Sequence, residues 1–483
     1  MGFKSQEPIG GHAGARGGMG LNAMSCTKVA LLAAVAATTG WAQEISVQGI
    51  TMAQMWKQDT PGFDKATYTP ATQYLGIDAT NLGSEKLSLH LFGWGQADLG
   101  GDSTFLNGAK TAGYLNYGYL QYRFAQANAE IKAGRFTVNQ GSGFEQVDGV
   151  SARTDLRGGF MISGFYGLPV LYRTVDPGSQ ADYNNQRDII FGSRLAWRLP
   201  KVMEIGLSYL QDGSRQPKDL SLPSASDFTR KQMGVDLLLT PTATLDLRGR
   251  TLFDMASHPA PAPGAPDHNK IAEHDYTATW RLGSQIALSG NYAERNFFAY
   301  FAGTNLPSLF KQDDRDQFRG WGGKVTWTTE ANFQAIADYR HTHRETFGDA
   351  NRAGGELRWS FNEKAVLFGA GGHWVNALDT KFVDPTAPYL SLSYTELRAW
   401  ILVNKGKLSA SLDGILQHYD SGNPYLAGMR DLYEAVGSLG YQATANLKVS
   451  ADVTFGSNPV SKHETQGLLK AEYRFGTAKK GGQ

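Results

Sequence analysis

A cluster of charged residues lies between residues 133 and 170, in "AGRFTVNQGSGFEQVDGVSARTDLRGGFMISGFYGLPV". Its six charged members carry both signs: Arg135, Glu145, Asp148, Arg153, Asp155 and Arg157. Fixed charges of both signs set an electric field along a water path and bias which ions cross it. Two interpretations are open. The segment is a loop folded across a water-filled passage, or "FEQVDGVSAR" and "GGFMISGFYG" form a hairpin about the turn "DLRGG". Both interpretations place these charges beside water.

Histidines raise the question of metal binding or hydrolysis. His341 and His343 in "YRHTHRE" are two residues apart, which puts both side chains on one face of a strand. A metal site needs a third and a fourth ligand, and the sequence identifies neither. His373, His418 and His463 lie near loop ends, but no GxSxG nucleophile motif accompanies them. The sequence therefore predicts no metal site, no catalytic residue and no enzymatic activity.

Cysteine content and net charge exclude further kinds of chemistry. Cys26 is the single cysteine of the 483 residues, so the chain has no CxxCH motif for covalent haem attachment and no intrachain disulfide. We therefore predict no covalently bound cofactor. The formal net charge of +1 lacks the basic excess of a nucleic-acid-binding protein, and we predict no nucleic-acid partner.

The N-terminal region has the organisation of an export signal. In "MSCTKVALLAAVAATTGWAQ", Lys28 precedes an apolar run over residues 29–37, and small residues follow up to Ala42. This order of charged, apolar and small segments is typical of a secretory signal peptide. We predict a leader and signal peptide over residues 1–42, with Met24 as an alternative start. A mature chain that begins after Ala42 contains no cysteine.

Most of the remaining chain alternates apolar and polar residues with a period of two. The segments "NLKVSADVTFG", "VMEIGLSYLQ" and "ATLDLRGRTLF" show the pattern, which predicts β-strands with one apolar face. Short links such as "LPKV" and "NKGK" alternate with long polar connections such as "DGSRQPKDLSLPSASDF". We therefore predict an all-β, antiparallel up-and-down meander over residues 43–475. At about 40 residues for each hairpin of membrane-spanning length, it would contain about 20–22 strands.

Aromatic residues occupy both ends of the apolar strand faces. Tyr209, Tyr292 and Trp374 stand near long connections, whereas Trp197 and Trp280 stand near short links. Amphipathic rings prefer the two membrane–water interfaces, so this arrangement predicts a transmembrane β-barrel.

The opposite strand faces carry charges of both signs, which a dry protein core could not hold without a large desolvation cost. We predict that they line a hydrated lumen. The candidates outside the 133–170 cluster are Arg248, Arg250, Asp338, Arg340, Glu356 and Arg358. Carboxylates and guanidinium groups share that face in similar numbers, so the sequence predicts weak ion selectivity.

The segment "GLLKAEYRF" resembles the C-terminal insertion signal of Gram-negative outer-membrane β-barrel proteins, through Leu469, Ala471, Tyr473 and Phe475. This resemblance implies a multi-pass protein of the outer membrane, in contact with outer-membrane lipid and inserted by the barrel-assembly machinery. The family usually ends on the final aromatic residue, whereas this chain continues to Gln483. Residues 476–483 are therefore expected to form a short periplasmic tail.

Two functions are open at this stage. A porin-like channel would pass small hydrophilic solutes or ions by passive diffusion through a mixed-charge lumen. The alternative follows from a weaker resemblance, carried by "AGRF" and "DGV", to the barrels of porin–cytochrome electron conduits. That resemblance implies a barrel sheath around a periplasmic or extracellular multihaem cytochrome, in a pathway for extracellular electron transfer.

Overall fold

The structure of the chain, a computed structural model, consists almost entirely of β-strands. It describes residues 44–59, 66–100, 111–170, 189–213, 230–255, 271–296, 317–344, 348–361, 365–377, 393–423, 429–458 and 461–476. The predicted signal peptide, most of the predicted long connections and residues 477–483 lie outside these ranges. Within them, no helix is long and apolar enough to cross a membrane.

Twenty-three strands follow one another along the described ranges. They are β1 (Glu44–Asp59), β2 (Ala66–Tyr68), β3 (Pro70–Thr80), β4 (Leu87–Asp98), β5 (Thr111–Phe124), β6 (Ala129–Gln140), β7 (Gly143–Asp155), β8 (Phe160–Pro169), β9 (Ile189–Leu199), β10 (Met203–Gly213), β11 (Arg230–Thr242), β12 (Leu245–Asp254), β13 (Ile271–Leu282), β14 (Ile286–Asn296), β15 (Gln317–Thr328), β16 (Phe333–Arg344), β17 (Gly348–Phe361), β18 (Val366–Ala377), β19 (Tyr394–Lys405), β20 (Leu408–Asn423), β21 (Met429–Thr444), β22 (Leu447–Asn458) and β23 (Ser461–Gly476).

The strands form one closed antiparallel barrel. From β3 onwards each strand pairs with the next, and β23 returns to pair with β1 over fourteen residues, from Ser46 opposite Gly476 to Asp59 opposite His463. Strands β2 and β3 both pair with β1 and together act as one interrupted strand, so the barrel wall consists of 22 strands. The predicted all-β transmembrane barrel is confirmed, with a strand number at the upper limit of the expected range.

The two ends of the barrel differ. Short turns join alternate strand pairs at one end, which we call the short-turn end; examples are residues 200–202, 243–244 and 406–407. The opposite end, which we call the long-loop end, carries the predicted long connections. One connection at the long-loop end is short and described: residues 141–142, between β6 and β7.

Alternation along each strand separates two environments. Leu412, Gly437 and Val453 stand side by side on β20, β21 and β22, and the Leu412 and Val453 side chains are each 56% exposed on the outside of the barrel. The neighbouring Asp413 points to the other side, where it accepts hydrogen bonds from the Arg398 guanidinium. An apolar outer face and a polar inner face are what a barrel needs when lipid surrounds it and water fills it.

The aromatic side chains predicted for the two ends of the apolar band lie on the outward face. Trp197, Trp280, Trp327 and Trp359 are exposed near the short-turn end, and Tyr292, Tyr339, Trp374 and Phe455 are exposed nearer the long-loop end. Neighbouring rings touch across strands, as in the edge contact of Phe333 with Trp359 at 6.0 Å between ring centroids. Two belts bound an apolar band of the kind that amphipathic rings form at membrane interfaces.

A charge on this band should destabilise the folded barrel, whereas the same charge one residue away should not. We expect Leu412→Arg to cost about 2–4 kcal/mol of folding free energy, because it places a guanidinium in the apolar band. The matched control is Ser411→Arg, whose side chain enters the lumen. Equilibrium unfolding in lipid vesicles, followed by tryptophan fluorescence, measures both. Equal losses for the two variants would contradict the assignment of faces.

Candidate functional site

One hairpin leaves the barrel wall. The β5–β6 ladder ends where Gly118 faces Arg135, and the β7–β8 ladder begins only where Val147 faces Pro169. Beyond these points β6 and β7 continue their ladder with each other, from Phe136 opposite Val147 up to Gln140 opposite Gly143. We call residues 136–146 the inward hairpin, because its contacts lie inside the barrel.

The tip of the inward hairpin rests on the lumenal side of β10 and β11. A Cβ atom placed on Gly141 would lie 2.4 Å from the Ser208 hydroxyl oxygen and 2.9 Å from an Asp236 carboxylate oxygen. The Ser142 Cα atom lies 3.2 Å from the position of a Cβ atom on Gly234. Gly141 also has a φ of +42°, so the absence of a side chain serves both the turn and this close approach.

Apolar side chains hold the hairpin against the inner wall. Phe136, Val138 and Val147 from β6 and β7 pack on three lumenal side chains of the wall, Phe165, Ile190 and Leu210, and all six are buried. Burying an apolar side chain of this size contributes about 1.5–3 kcal/mol. The hairpin is therefore attached to the wall by a small hydrophobic core that lies within the barrel lumen.

Polar side chains bridge the root of the hairpin, the place where β6 and β7 leave the wall beside β5. The Arg135 guanidinium donates two hydrogen bonds of 2.7 Å to the Asp148 carboxylate and one of 3.0 Å to the Leu115 carbonyl. The Gln146 amide donates to the Asn116 carbonyl and accepts a 2.7 Å hydrogen bond from the Tyr114 hydroxyl. Backbone carbonyls of β5 that β6 no longer pairs with thus obtain side-chain donors, as buried carbonyls require.

A polar cavity of about 940 Å³ lies between the inward hairpin and the wall from β6 to β13. We call it the niche. Six cationic side chains line it: Lys132, Arg153, Arg194, Arg198, Arg248 and Arg250. Four carboxylates line it as well: Glu130, Glu204, Asp236 and Asp275. The lining therefore has an excess of two positive charges, in contrast to the near balance expected for the lumen as a whole.

Ion pairs organise the wall of the niche. Arg194 bonds Asp236 at 3.0 Å and Glu204 at 2.9 Å, and Arg198 bonds Glu204 at 2.7 Å. On β12, Arg250 donates a 2.8 Å hydrogen bond to Glu273 of β13. Paired charges of this kind hold the long arginine side chains in fixed positions along the inner wall.

The predicted cluster of residues 133–170 is divided between several environments. Arg153 lines the niche and lies 3.5 Å from Asp155, Arg157 lies in the short turn after β7, and Glu145 lies in the inward hairpin. Each of the two interpretations of this segment is correct in part. Strands β7 and β8 form the expected hairpin about "DLRGG", and the residues just before it fold into the lumen.

Arg135 and Asp148 do not project into the water path, contrary to the expectation from the sequence. On β7, Asp148 shares its strand face with Val150, which points out of the barrel opposite Tyr166. The two side chains bond each other at the root of the hairpin. The reason is that β6 and β7 leave the wall at this level, so their side chains are needed to close the seam with β5.

The remaining lumen candidates lie on lumenal strand faces. Arg248 and Arg250 line the niche. Asp338 bonds Arg352 and His373, each at 3.0 Å, and Arg340 stacks on Phe318 at 5.6 Å from the ring centroid. Glu356 and Arg358 pair with each other at 2.9 Å. The last four candidates are on β16 and β17, away from the niche, and their role in solute passage remains a prediction.

The histidine pair is on the outside of the barrel. His341 and His343 share a strand face with the outward Tyr339, where His341 bonds Asn351 at 2.8 Å and His343 bonds Asp349. Within the described ranges, no three His, Cys, Asp or Glu side chains are grouped as metal ligands.

The predicted insertion signal forms the outward face of β23. Leu469 is 62% exposed, Phe475 stands opposite Val47, and Tyr473 stands opposite Gly49 of β1. Ala471 lies on the same face, opposite Thr51. The function of these four residues in insertion remains a prediction.

The sequence of β6 contains a signal for the inward hairpin. On β6 the apolar outward positions are Ile131 and Ala133, but the next apolar residues are Phe136 and Val138, which belong to the other face. Such a change of phase in the middle of a strand shows that its apolar side chains turn from the lipid towards the interior.

A disulfide should test where the hairpin tip lies. The Ser142 Cα atom and the Ser208 hydroxyl lie 3.2 Å and 2.6 Å from the same point, a Cβ position on Gly234, so cysteines at 142 and 208 are within bonding reach. In a Cys26→Ser chain we expect Ser142→Cys with Ser208→Cys to cross-link on mild oxidation, as measured by mass spectrometry of the digested protein. The control pair, Ser142→Cys with Ser438→Cys on β21, should remain reduced. Cross-linking of the control pair alone would contradict the placement.

No protein-family model and no curated protein matches the chain. Several solved structures are similar to it at low sequence identity. A mutant of the ferric enterobactin receptor PfeA from Pseudomonas aeruginosa superposes with a TM-score of 0.53 at 10% identity, over 89% of this chain and 80% of that one. The translocation pore of the P pilus usher PapC gives a TM-score of 0.48 at 10% identity, over 90% of this chain and all of that one.

The outer-membrane protein OpdK from Pseudomonas aeruginosa gives a TM-score of 0.42 at 10% identity, over 91% of this chain and all of that one. At such identities the similarity concerns the fold alone. With the outward apolar band and its two aromatic belts, the closed 22-stranded barrel has the architecture of Gram-negative outer-membrane β-barrels, whose strands cross the membrane many times.

Proposed function

We propose that the protein is a porin-like channel through which small hydrophilic solutes or ions diffuse passively, with the inward hairpin narrowing the path. The observation that carries this proposal is the combination of a charged inner wall with a hairpin packed inside the barrel. A lumen lined by Arg398, Asp413, Arg358 and Glu356 needs water, because burying so many ionic groups in a dry core would be very costly.

The position of the hairpin supports a constriction. It is fixed at its root by the Arg135–Asp148 pair and at its middle by the six apolar side chains around Val147. A segment attached at both points keeps its shape while solute passes, as a constriction must. Hairpin residues 136–141 also line the niche. A solute that moves along this side of the lumen therefore passes both the hairpin and the niche.

The alternative, a sheath around a multihaem cytochrome, receives less support from the geometry. The hairpin takes up lumen space beside β8, β9 and β10 that an enclosed partner would need. The absence of enzymatic activity and of a covalent cofactor, and the interaction with the barrel-assembly machinery, stay predictions of the sequence.

Single-channel recording in planar lipid bilayers tests the proposal, combined with haem staining of the purified protein. We expect stable open steps and no haem. Folded protein that gives no steps would contradict the channel, and haem that co-purifies with it would favour the sheath.

Shortening the hairpin should widen the path. We expect the replacement of residues 138–146 by Asn-Gly to raise the single-channel conductance by about a factor of two, because conductance follows the open cross-section of a water-filled pore. The control is the oxidised Ser142→Cys/Ser208→Cys variant, which should keep the wild-type step because its hairpin is fixed in place. Mobility on unheated gels shows whether each variant is folded. An unchanged conductance in the folded short variant would mean that the hairpin is not the constriction.

A further inference from the structure

We propose that the niche is a binding subsite for small anionic solutes that carry a carboxylate or phosphate group, with the Arg248 guanidinium as the group that receives the anion. This inference rests on the proposed channel function and specifies the class of solute that the channel favours.

Most of the negative charge in the niche is already bound. Glu204 accepts hydrogen bonds from Arg194 and Arg198, and Asp236 accepts them from Arg194. Glu130 lies 3.5 Å from Lys132 and accepts a 2.8 Å hydrogen bond from Gln121. Lys132, Arg194 and Arg198 engage these three carboxylates, which therefore have little capacity left to neutralise another cation of the niche, Arg248.

Arg248 is the cation of the niche that is best placed to receive an anion. It lies on the lumenal face of β12, opposite the uncharged Leu238 and Thr277 of the two neighbouring strands. No described carboxylate lies within ion-pair distance of its guanidinium, while the side chain lines the niche. A guanidinium presents a planar set of donors that matches a carboxylate or a phosphate through two parallel hydrogen bonds.

The next lumenal residue along β12 adds to the positive potential. Arg250 is two residues from Arg248, so the two side chains leave the same face about 7 Å apart. Its partner Glu273 is also bonded by Arg295 at 3.3 Å, and the Glu273 side chain is only 3% exposed. The Glu273 carboxylate is thus shared by the Arg250 and Arg295 guanidinium groups.

Asp275 limits which anions fit. It lies opposite Arg250 and lines the niche, and no described cation is within ion-pair distance of it. Its charge repels a second anionic group of the same solute, so the geometry favours solutes with one anionic group directed towards Arg248. The niche volume of about 940 Å³ is within the range of small-molecule sites.

Binding and conduction are measured separately in the experiment. The purified barrel in detergent is titrated with benzoate and with inorganic phosphate in a calorimeter, and the same probes are added to single channels in a bilayer. The variant is Arg248→Gln. The matched control is Arg340→Gln, which removes one lumenal cation on β16, outside the niche.

We expect wild-type channels to prefer chloride over potassium, and both the heat of binding and the block of current to report one site. Arg248→Gln should weaken the binding of the preferred probe about tenfold, which corresponds to about 1.4 kcal/mol. Arg340→Gln should leave the binding constant unchanged. The probe that binds more tightly identifies the carboxylate or the phosphate as the preferred group.

Two results would overturn the inference. Equal weakening by both variants would show a general effect of lumenal charge, and the absence of binding in open, folded wild-type channels would show that the niche is not a subsite. In both cases the channel itself would stand. Binding at Arg248 in a barrel that never opens would instead contradict the proposed function and retain the site.

Discussion

The structure depends on one constraint: inside a bilayer every backbone N–H and C=O group needs a partner within the protein. The chain meets it by pairing β23 with β1 over fourteen residues, which removes both edges of a very large sheet. Closure fixes the alternation of faces around the whole barrel. Apolar side chains such as Leu412 then point to lipid, and charged ones such as Asp413 point to water.

The same constraint explains the seam at β5. Where β6 leaves the wall after Arg135, carbonyl groups of β5 lose their strand partner. Arg135 and Gln146 supply the missing donors to Leu115 and Asn116. Two of the freed carbonyls of β5 thus have side-chain donors where the hairpin enters the lumen, and its apolar side chains pack in a second core around Ile190 and Leu210. Polar and apolar contacts thus act together to hold the inward hairpin in place.

Charge in the lumen is arranged in local networks instead of being spread evenly. Around Arg194 the carboxylates Glu204 and Asp236 are fully engaged, whereas around Arg250 and Arg295 one carboxylate serves two guanidinium groups. A net charge of +1 for the whole chain conceals this difference. Local excess matters more than the total, because the field that a passing ion meets is set by the nearest groups.

Much of the fold could be predicted from the sequence, because period-two alternation and the contrast between short and long links are local signals. The strand number and the outward aromatic residues followed from them. The inward hairpin could not be predicted by counting strands, because its two strands continue the alternation of the wall. Only the change of phase between Ala133 and Phe136 distinguishes them. The niche was harder still, since it brings together residues from β6 and β13 that come near each other only because the inward hairpin folds into the lumen.

The most direct test of this account is the collision accessibility of nitroxide labels at each position from 129 to 155, measured by electron paramagnetic resonance in lipid vesicles. The account predicts that accessibility to lipid-soluble oxygen alternates over residues 129–135 and 147–155 and is lost across the inward hairpin. Alternation that continues without interruption through residues 136–146 would place those residues in the barrel wall and contradict it.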